Sequence, residues 1–368
     1  MAAAPRCSVE PLRSMLKSDP RPQSRAAAAL ALAVAGDRGA VPALIDVLKE
    51  QDARLQPFAA RALGLLKEPR AVEALISDLE STAWNTPDVS WALGEIGDAR
   101  AVPPLVEALK RGRWQYVEHN AEYRATIKAL GKLKDPRATE VLIAALAPPE
   151  WYYVSVEGLE DLCFYRAADA AWALGQIRDP RAVDPLIRLM ERRKGFHYRG
   201  STAAAVSLAA GARALGKTKD PRVAPLLLQT LEEFGTPGEL CLGATWALAD
   251  MNDAHVLASL TQVLESGKWY GPYYAAHALG ATKDPQAVGP LIAALRKTKG
   301  WYPQRVRAKA AAALGHIGDP RAIDPLIGAL RDSDRHVREK ALASLKHITG
   351  KDLGPKADAW QAWRAGSS

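Results

Sequence analysis

The chain has 368 residues, 49 basic against 41 acidic, a net charge of +8 and a hydrophobic share of 48%. The positive balance favours acidic partners. No apolar run approaches the roughly 18 residues that a membrane-spanning helix needs, which excludes that class. Cys7, Cys163 and Cys241 lie far apart in sequence, which argues against a disulfide framework or a metal knuckle.

At the N-terminus, Met1 to Val9 lacks the apolar core of a secretory signal, so a reducing, cytoplasmic setting is expected. A proline-rich turn, Asp19-Pro20-Arg21-Pro22, then leads into a short motif that repeats along the chain. Its copies are Ala31-Leu32-Ala33, Ala62-Leu63-Gly64, Ala92-Leu93-Gly94, Ala129-Leu130-Gly131, Ala173-Leu174-Gly175, Ala214-Leu215-Gly216, Ala247-Leu248-Ala249, Ala278-Leu279-Gly280, Ala313-Leu314-Gly315 and Ser344-Leu345-Lys346. Successive leucines are 30 to 44 residues apart, and an acid follows most of them by five residues, as in Asp135 and Asp179. A fixed period of this size marks a solenoid, whose units bury their apolar faces only against their neighbours. The predicted fold is all-α, a right-handed α-solenoid of about ten helical hairpins over residues 1–348, with residues 349–368 as a C-terminal capping segment.

Each unit reads as two helices. The first, as in Val102 to Leu109, places apolar residues at i, i+3, i+4 and i+7, with proline confined to the opening turn. The second ends in the Ala-Leu-Gly motif, whose small residues allow close helix approach. Asp-Pro-Arg at 135–137, 179–181, 220–222 and 319–321 forms the turn between units. There Asp accepts backbone N–H bonds, Pro sets φ, and Arg is expected to reach the Asp of an adjoining turn. Beyond the last unit, Trp360 and Trp363 share a helix face that can fold over the exposed end.

The longer middle units carry extra residues between their two helices, and those insertions are aromatic. They hold Trp114 and Tyr116; Trp151, Tyr152 and Tyr153; Phe196 and Tyr198; Trp269, Tyr270, Tyr273 and Tyr274; Trp301 and Tyr302; Trp84 holds the equivalent place in a short unit. Loops carry function more often than cores, and aromatic residues are enriched in binding hot spots, so these residues form a candidate binding rim. The alternative is that each loop folds back as a satellite core. A second column precedes each motif: Arg61, Trp91, Lys128, Trp172, Arg213, Trp246 and His277, fading to Ala312 and Ala343. Cations alternating with rings offer stacking platforms together with anion pairing. The alternative for the tryptophans is sideways packing on a neighbour, and for Arg61, Lys128 and Arg213 a solvated face.

Catalytic motifs are missing. No phosphate-binding glycine loop, no Gly-x-Ser-x-Gly elbow and no His-x-x-x-His or Cys-His cluster is present, so neither catalytic nor metal-ligating residues are assigned. Charge is uneven. Arg296 to Lys309 has six basic residues and no acid, whereas Glu150 to Asp161 has four acids and no base. That interruption places nucleic-acid binding behind other readings.

The unit resembles HEAT repeats, and more closely the HEAT-like repeats of E/F-type phycobilisome lyases. Asp179 to Ile187, Ala170 to Ile177 and Tyr273-Tyr274-Ala275-Ala276-His277-Ala278-Leu279-Gly280 carry the resemblance, which runs from about Val9 to Ile348. It implies that the second helices line the concave face. The HEAT-like deoxyhypusine hydroxylases hold iron with His-Glu dipeptides, and this chain has none. The HEAT-like alkylpurine glycosylases need a catalytic Asp among groove aromatics; Asp169 is the nearest candidate and reads as an exposed surface carboxylate. The leading expectation is a non-catalytic scaffold that holds an acidic protein or peptide segment in the groove, without a cofactor or membrane. The alternative implied by the resemblance is a lyase- or isomerase-like protein that handles a bilin or another flat anionic tetrapyrrole. Nucleic-acid binding ranks third.

Overall fold

A computed structural model describes residues 9–50, 52–81, 87–111, 120–146, 159–191, 202–233, 238–266, 268–300 and 302–366. Internal packing divides the chain into two compact units, Met1–Leu186 with Tyr198–Ser207, and Ile187–His197 with Leu208–Ser368. No linker marks that division in the sequence.

The first unit holds α1 (Glu10–Ser18), α2 (Pro22–Val34), α3 (Val41–Lys49), α4 (Gln56–Leu66), α5 (Val72–Ser81), α6 (Pro87–Ile96), α7 (Val102–Arg111), α8 (Asn120–Leu133), α9 (Thr139–Ala144) and α10 (Leu159–Ile177). The division passes through α11 (Val183–Glu191) and α12 (Thr202–Thr218). The second unit continues with α13 (Val223–Glu233), α14 (Glu239–Met251), α15 (Ala254–Ser266), α16 (Gly271–Thr282), α17 (Val288–Ala294), α18 (Pro303–Ile317), α19 (Ile323–Ala329), α20 (Arg335–Thr349) and α21 (Ala357–Ala365). Helices α1 to α20 therefore alternate as ten first and ten second helices, and no strand occurs among the described residues.

Each unit is a two-layer solenoid. In the first, the second helices α2, α4, α6, α8 and α10 stack in order, and the first helices α1, α3, α5, α7 and α9 form the other layer. In the second, α14, α16, α18 and α20 stack in the same way beside α13, α15 and α17. The repeated motif explains this order. Its leucine is fully buried in all ten copies, from Leu32 to Leu345, and each such burial contributes about 1.5–3 kcal/mol. Its glycine lets the next second helix come close. A Cβ on Gly94 would lie 2.7 Å from Ala129 Cα, and one on Gly280 would lie 2.7 Å from Ala313 Cα. Alanine from the following motif thus packs on the bare glycine backbone.

The turns between repeats are built by one acid. Glu68, Asp98, Asp135, Asp179, Asp284 and Asp319 each cap a short 3-10 turn by accepting from the N–H two residues on. The sequence reading sent the turn arginines to an adjoining Asp; the structure corrects this. Arg137 forks its own Asp135 with Nη2 at 2.7 Å, and Arg181 and Arg321 do the same with Asp179 and Asp319. Two residues apart in a tight turn, the partners already touch. The guanidinium's remaining reach goes to a main-chain carbonyl of the preceding turn: Arg137 Nη2 to Ala99 O at 3.2 Å, Arg181 to Pro136 O at 2.9 Å, Arg321 to Pro285 O at 2.9 Å. The arginine beside each acid lowers the Glu68 and Asp179 carboxyls to about 2.

At the C-terminal end, α20 stops at Gly350 in the left-handed region, and α21 packs on α19. Trp360 is fully buried, and its Nε1 donates to Gly354 O at 2.8 Å.

Candidate functional site

The column residues all fall on second helices, one per repeat. Arg61, Trp91, Lys128 and Trp172 belong to the first unit, on α4, α6, α8 and α10; Arg213, Trp246 and His277 belong to the second, on α12, α14 and α16.

In the first unit the cations of the column are neutralised from within. Arg61 Nη1 lies 3.0 Å from Asp88 Oδ1, and its guanidinium covers the Trp91 ring at 5.3 Å from the centroid. Lys132, paired with Glu95, lies over the same ring at 5.9 Å. Asp169 takes Arg124 Nε at 2.5 Å and Lys128 Nζ at 3.5 Å. Its side chain is only 13% exposed, so the expected surface carboxylate is instead the shared partner of two cations. The tryptophans rest sideways on the preceding repeat. A Cβ on Gly64 would meet Trp91 Cζ3 at 2.7 Å, and one on Gly131 would meet Trp172 Cζ3 at 2.6 Å. In this unit the motif glycine seats both the next helix and a ring.

The second unit differs. Trp246, at 42% about as exposed as Trp172 of the first unit at 38%, meets His277 edge to face, with centroids 5.3 Å apart at 69°. One turn towards the start of α16, Tyr273 lies under Lys309 Nζ of α18, 4.7 Å from the ring centroid. At the opening of the same two helices, Tyr270 and Tyr302 stack at 5.6 Å and 27°, and Arg305 covers Tyr302 at 5.2 Å. Among the described residues, no carboxylate comes within ion-pair distance of Arg213, Arg305 or Lys309. Helices α16 and α18 contain no acidic residue. On α14, Asp250 lies one turn beyond Trp246.

His277 sits at the centre of this cluster. Its Nδ1 is buried and has no hydrogen-bond partner among the described residues. Burial, with Lys309 and His316 adding to it, lowers its imidazole from 6.5 to about 4, so it is neutral at pH 7. Not every cation here is available. Arg307 is tied to Asp332 through two bonds of 2.7 and 2.8 Å, and Lys297 Nζ donates to Leu264 O at 2.7 Å. Of the basic run from Arg296 to Lys309, Arg305 and Lys309 therefore face the ring cluster while Arg307 and Lys297 hold the fold.

Several aromatic-rim candidates lie outside the described residues: Trp114, Tyr116, Trp151, Tyr152, Tyr153, Phe196, Tyr198, Trp301 and also Trp84. Of the others, Trp269 and Tyr302 are 41% and 42% exposed. Both hold left-handed backbone, at φ 51° and 43°, just before or at the entry to a second helix. Tyr273 and Tyr274 lie within α16 rather than in a loop, because the helix starts at Gly271. Tyr274 is 2% exposed and its hydroxyl accepts from Gly238 N at 3.2 Å, so it belongs to the core and not to a rim. Sequence reasoning missed Arg305 and Lys309 as members of the site. Their i, i+4 spacing on an acid-free helix was the available signal. Among the described residues no helix is long and apolar enough to cross a membrane.

Comparison with known proteins places this geometry in a family. A model of HEAT repeats matches residues 9–86, 257–346 and 302–358, and a model of the PBS lyase HEAT-like repeat matches 89–111, 123–148, 167–192 and 207–233. Bilin biosynthesis protein PecE of Nostoc sp. is 45% identical over 76 residues, 20% of this chain and 30% of that protein. PecE of Mastigocladus laminosus is 46% identical over 76 residues, covering 20% and 28%. The matched segment thus spans less than a third of either relative. Among solved structures, importin beta matches with a TM-score of 0.55 and 15% identity, over 97% of this chain and 55% of that one. A Kap121p mutant matches with a TM-score of 0.50 and 13% identity, over 100% of this chain and 43% of that one. These structural likenesses speak for the fold alone. With HEAT repeats towards both ends and PBS lyase HEAT-like repeats between them, the chain is a HEAT-repeat protein of the phycobilisome-lyase-type repeat family.

Proposed function

We propose that this protein is a non-catalytic binding protein that holds an acidic protein or peptide segment on the second-helix face of its second unit. The observation that carries the reading is a pair of cations that lack a carboxylate partner, Arg305 over the exposed Tyr302 ring and Lys309 over Tyr273. Uncompensated cations beside rings are suited to a partner that brings its own carboxylates and an apolar side chain. The corresponding cations of the first unit are already paired, so they offer less.

The test is binding of a fluorescein-labelled acidic peptide, followed by anisotropy. The Arg305→Glu/Lys309→Glu variant should bind at least about tenfold more weakly, since a hydrogen bond to a charged group contributes about 1.5–3 kcal/mol. Equal affinity of the variant and the parent protein would sink the reading.

A second reading is favoured by one observation, the PecE match of 45% identity over 76 residues. Under it the same rings and cations hold a bilin-type tetrapyrrole by its faces and its carboxylates. An absorbance scan with native mass spectrometry of the freshly purified protein separates the two. A visible chromophore of matching mass supports the second reading, and a colourless apo mass supports the first.

A further inference from the structure

The cluster on α16 and α18 has an internal spacing, and it deepens the binding reading on which it rests. Along α18, Arg305 and Lys309 are four residues apart, a rise of about 6 Å. In an extended chain, residues i and i+2 project to the same side about 7 Å apart. The two spacings agree, so one extended strand lying along α18 can bring two carboxylates to the two cations. The ends of this row are apolar. Tyr270 and Tyr302 stack beyond Arg305, and Trp246 with His277 lies beyond Lys309. From Tyr302 to Arg305 is three helical residues, about 4.5 Å of rise, within reach of one more i, i+2 step.

Two rings at the aromatic end stay accessible. Trp269 and Tyr302 keep left-handed φ values of 51° and 43° although neither is glycine. Both rings remain 41–42% exposed in that arrangement.

We infer that the partner segment is a short extended peptide with two carboxylates at i and i+2, and an aromatic or other large apolar side chain at the next alternate position, seated against Tyr270 and Tyr302. Arg305 and Lys309 pair with the carboxylates, and the Tyr270–Tyr302 stack takes the apolar residue.

The experiment compares two labelled peptides of equal charge, Phe-Ser-Glu-Ser-Glu-Ser and Ala-Ser-Glu-Ser-Glu-Ser, on the full chain, with a single-stranded oligothymidylate as a third probe. The expected result is at least about fivefold tighter binding of the Phe peptide. Replacement of the ring by Tyr302→Gly should abolish that preference, so that the Phe and Ala peptides bind this variant alike. Because glycine relaxes the left-handed φ at this position, that variant keeps the fold, and circular dichroism checks it. Equal affinity for both peptides would overturn the inference while leaving the acidic-segment reading in place. No binding of either peptide at millimolar concentration would overturn both. Tighter binding of the oligonucleotide than of either peptide would replace the peptide with a nucleic acid and overturn the inference too.

Discussion

The two units repeat one architecture and treat charge in opposite ways. In the first, the residue three places before a column tryptophan is an acid: Asp88 before Trp91 and Asp169 before Trp172. Each takes the column cation of the preceding helix, Arg61 or Lys128. At the same register on α18, three places before Ala312, stands Lys309. One repeat position therefore decides whether a second-helix face closes its charges internally or leaves them for a partner. A repeat scaffold can become a binding surface without any change of fold, because the residues that hold the stack are distinct from those that set its charge.

The largest effect comes from breaking what the units share. Gly131→Ala would push a methyl against Ala173 Cα, 2.8 Å away, and against the Trp172 ring at 2.6 Å. Overpacking of this kind costs about 1–3 kcal/mol, and a thermal melt should show the drop. Gly94→Ala, which meets only the backbone and Cβ of Ala129, should cost less.

Next, Lys309→Asp gives the second unit the register of the first. Acidic-peptide affinity should fall at least about tenfold by anisotropy. The same change replaces a charge that lowers the His277 imidazole with one that raises it, so its pKa should climb from about 4 by at least about one unit. Two-dimensional NMR of the ring protons reads this directly, and an unmoved titration would mean that burial alone sets it.

The reverse change is smaller. Asp169→Asn frees Arg124 and Lys128, and a calorimetric titration should show a second, weaker acidic-peptide site in the first unit.

The smallest effect separates the units by pH. The turn carboxylates forked by an arginine have folded pKa values below their unfolded ones, with Glu68 and Asp179 at about 2. Their contribution is complete above about pH 5 and is lost as pH falls towards 2. His277 is also lowered, but for a base this means that the unfolded state binds the extra proton. Its effect begins near 6.5, and stability falls as pH drops from there to about 4. Hydrogen exchange should therefore loosen α16 in a window where the turns still hold, and His277→Gln should remove that early phase.

Almost all of the fold was legible in the sequence, because a buried Leu, a bare Gly and an acid at fixed offsets each have one physical use. The ten motif leucines are all fully buried, as the period required. The site was only partly legible. The column marked one position on each second helix, but not which cations are neutralised, since Asp88 and Asp169 sit on the following second helix, 27 and 41 residues away from Arg61 and Lys128. Tyr274 looked like its neighbour Tyr273 in sequence. One helical step of about 100° turned it into the core.

The turn arginines have a mechanical consequence. Arg137, Arg181 and Arg321 each fork the acid of their own turn and also grip a carbonyl of the turn before it, at Ala99, Pro136 and Pro285. Under tension along the chain, these staples load one after another rather than together. Within a unit, pulling should therefore release repeats singly. The 31 residues between Leu314 and Leu345 would pay out about 100 Å of extended chain per step.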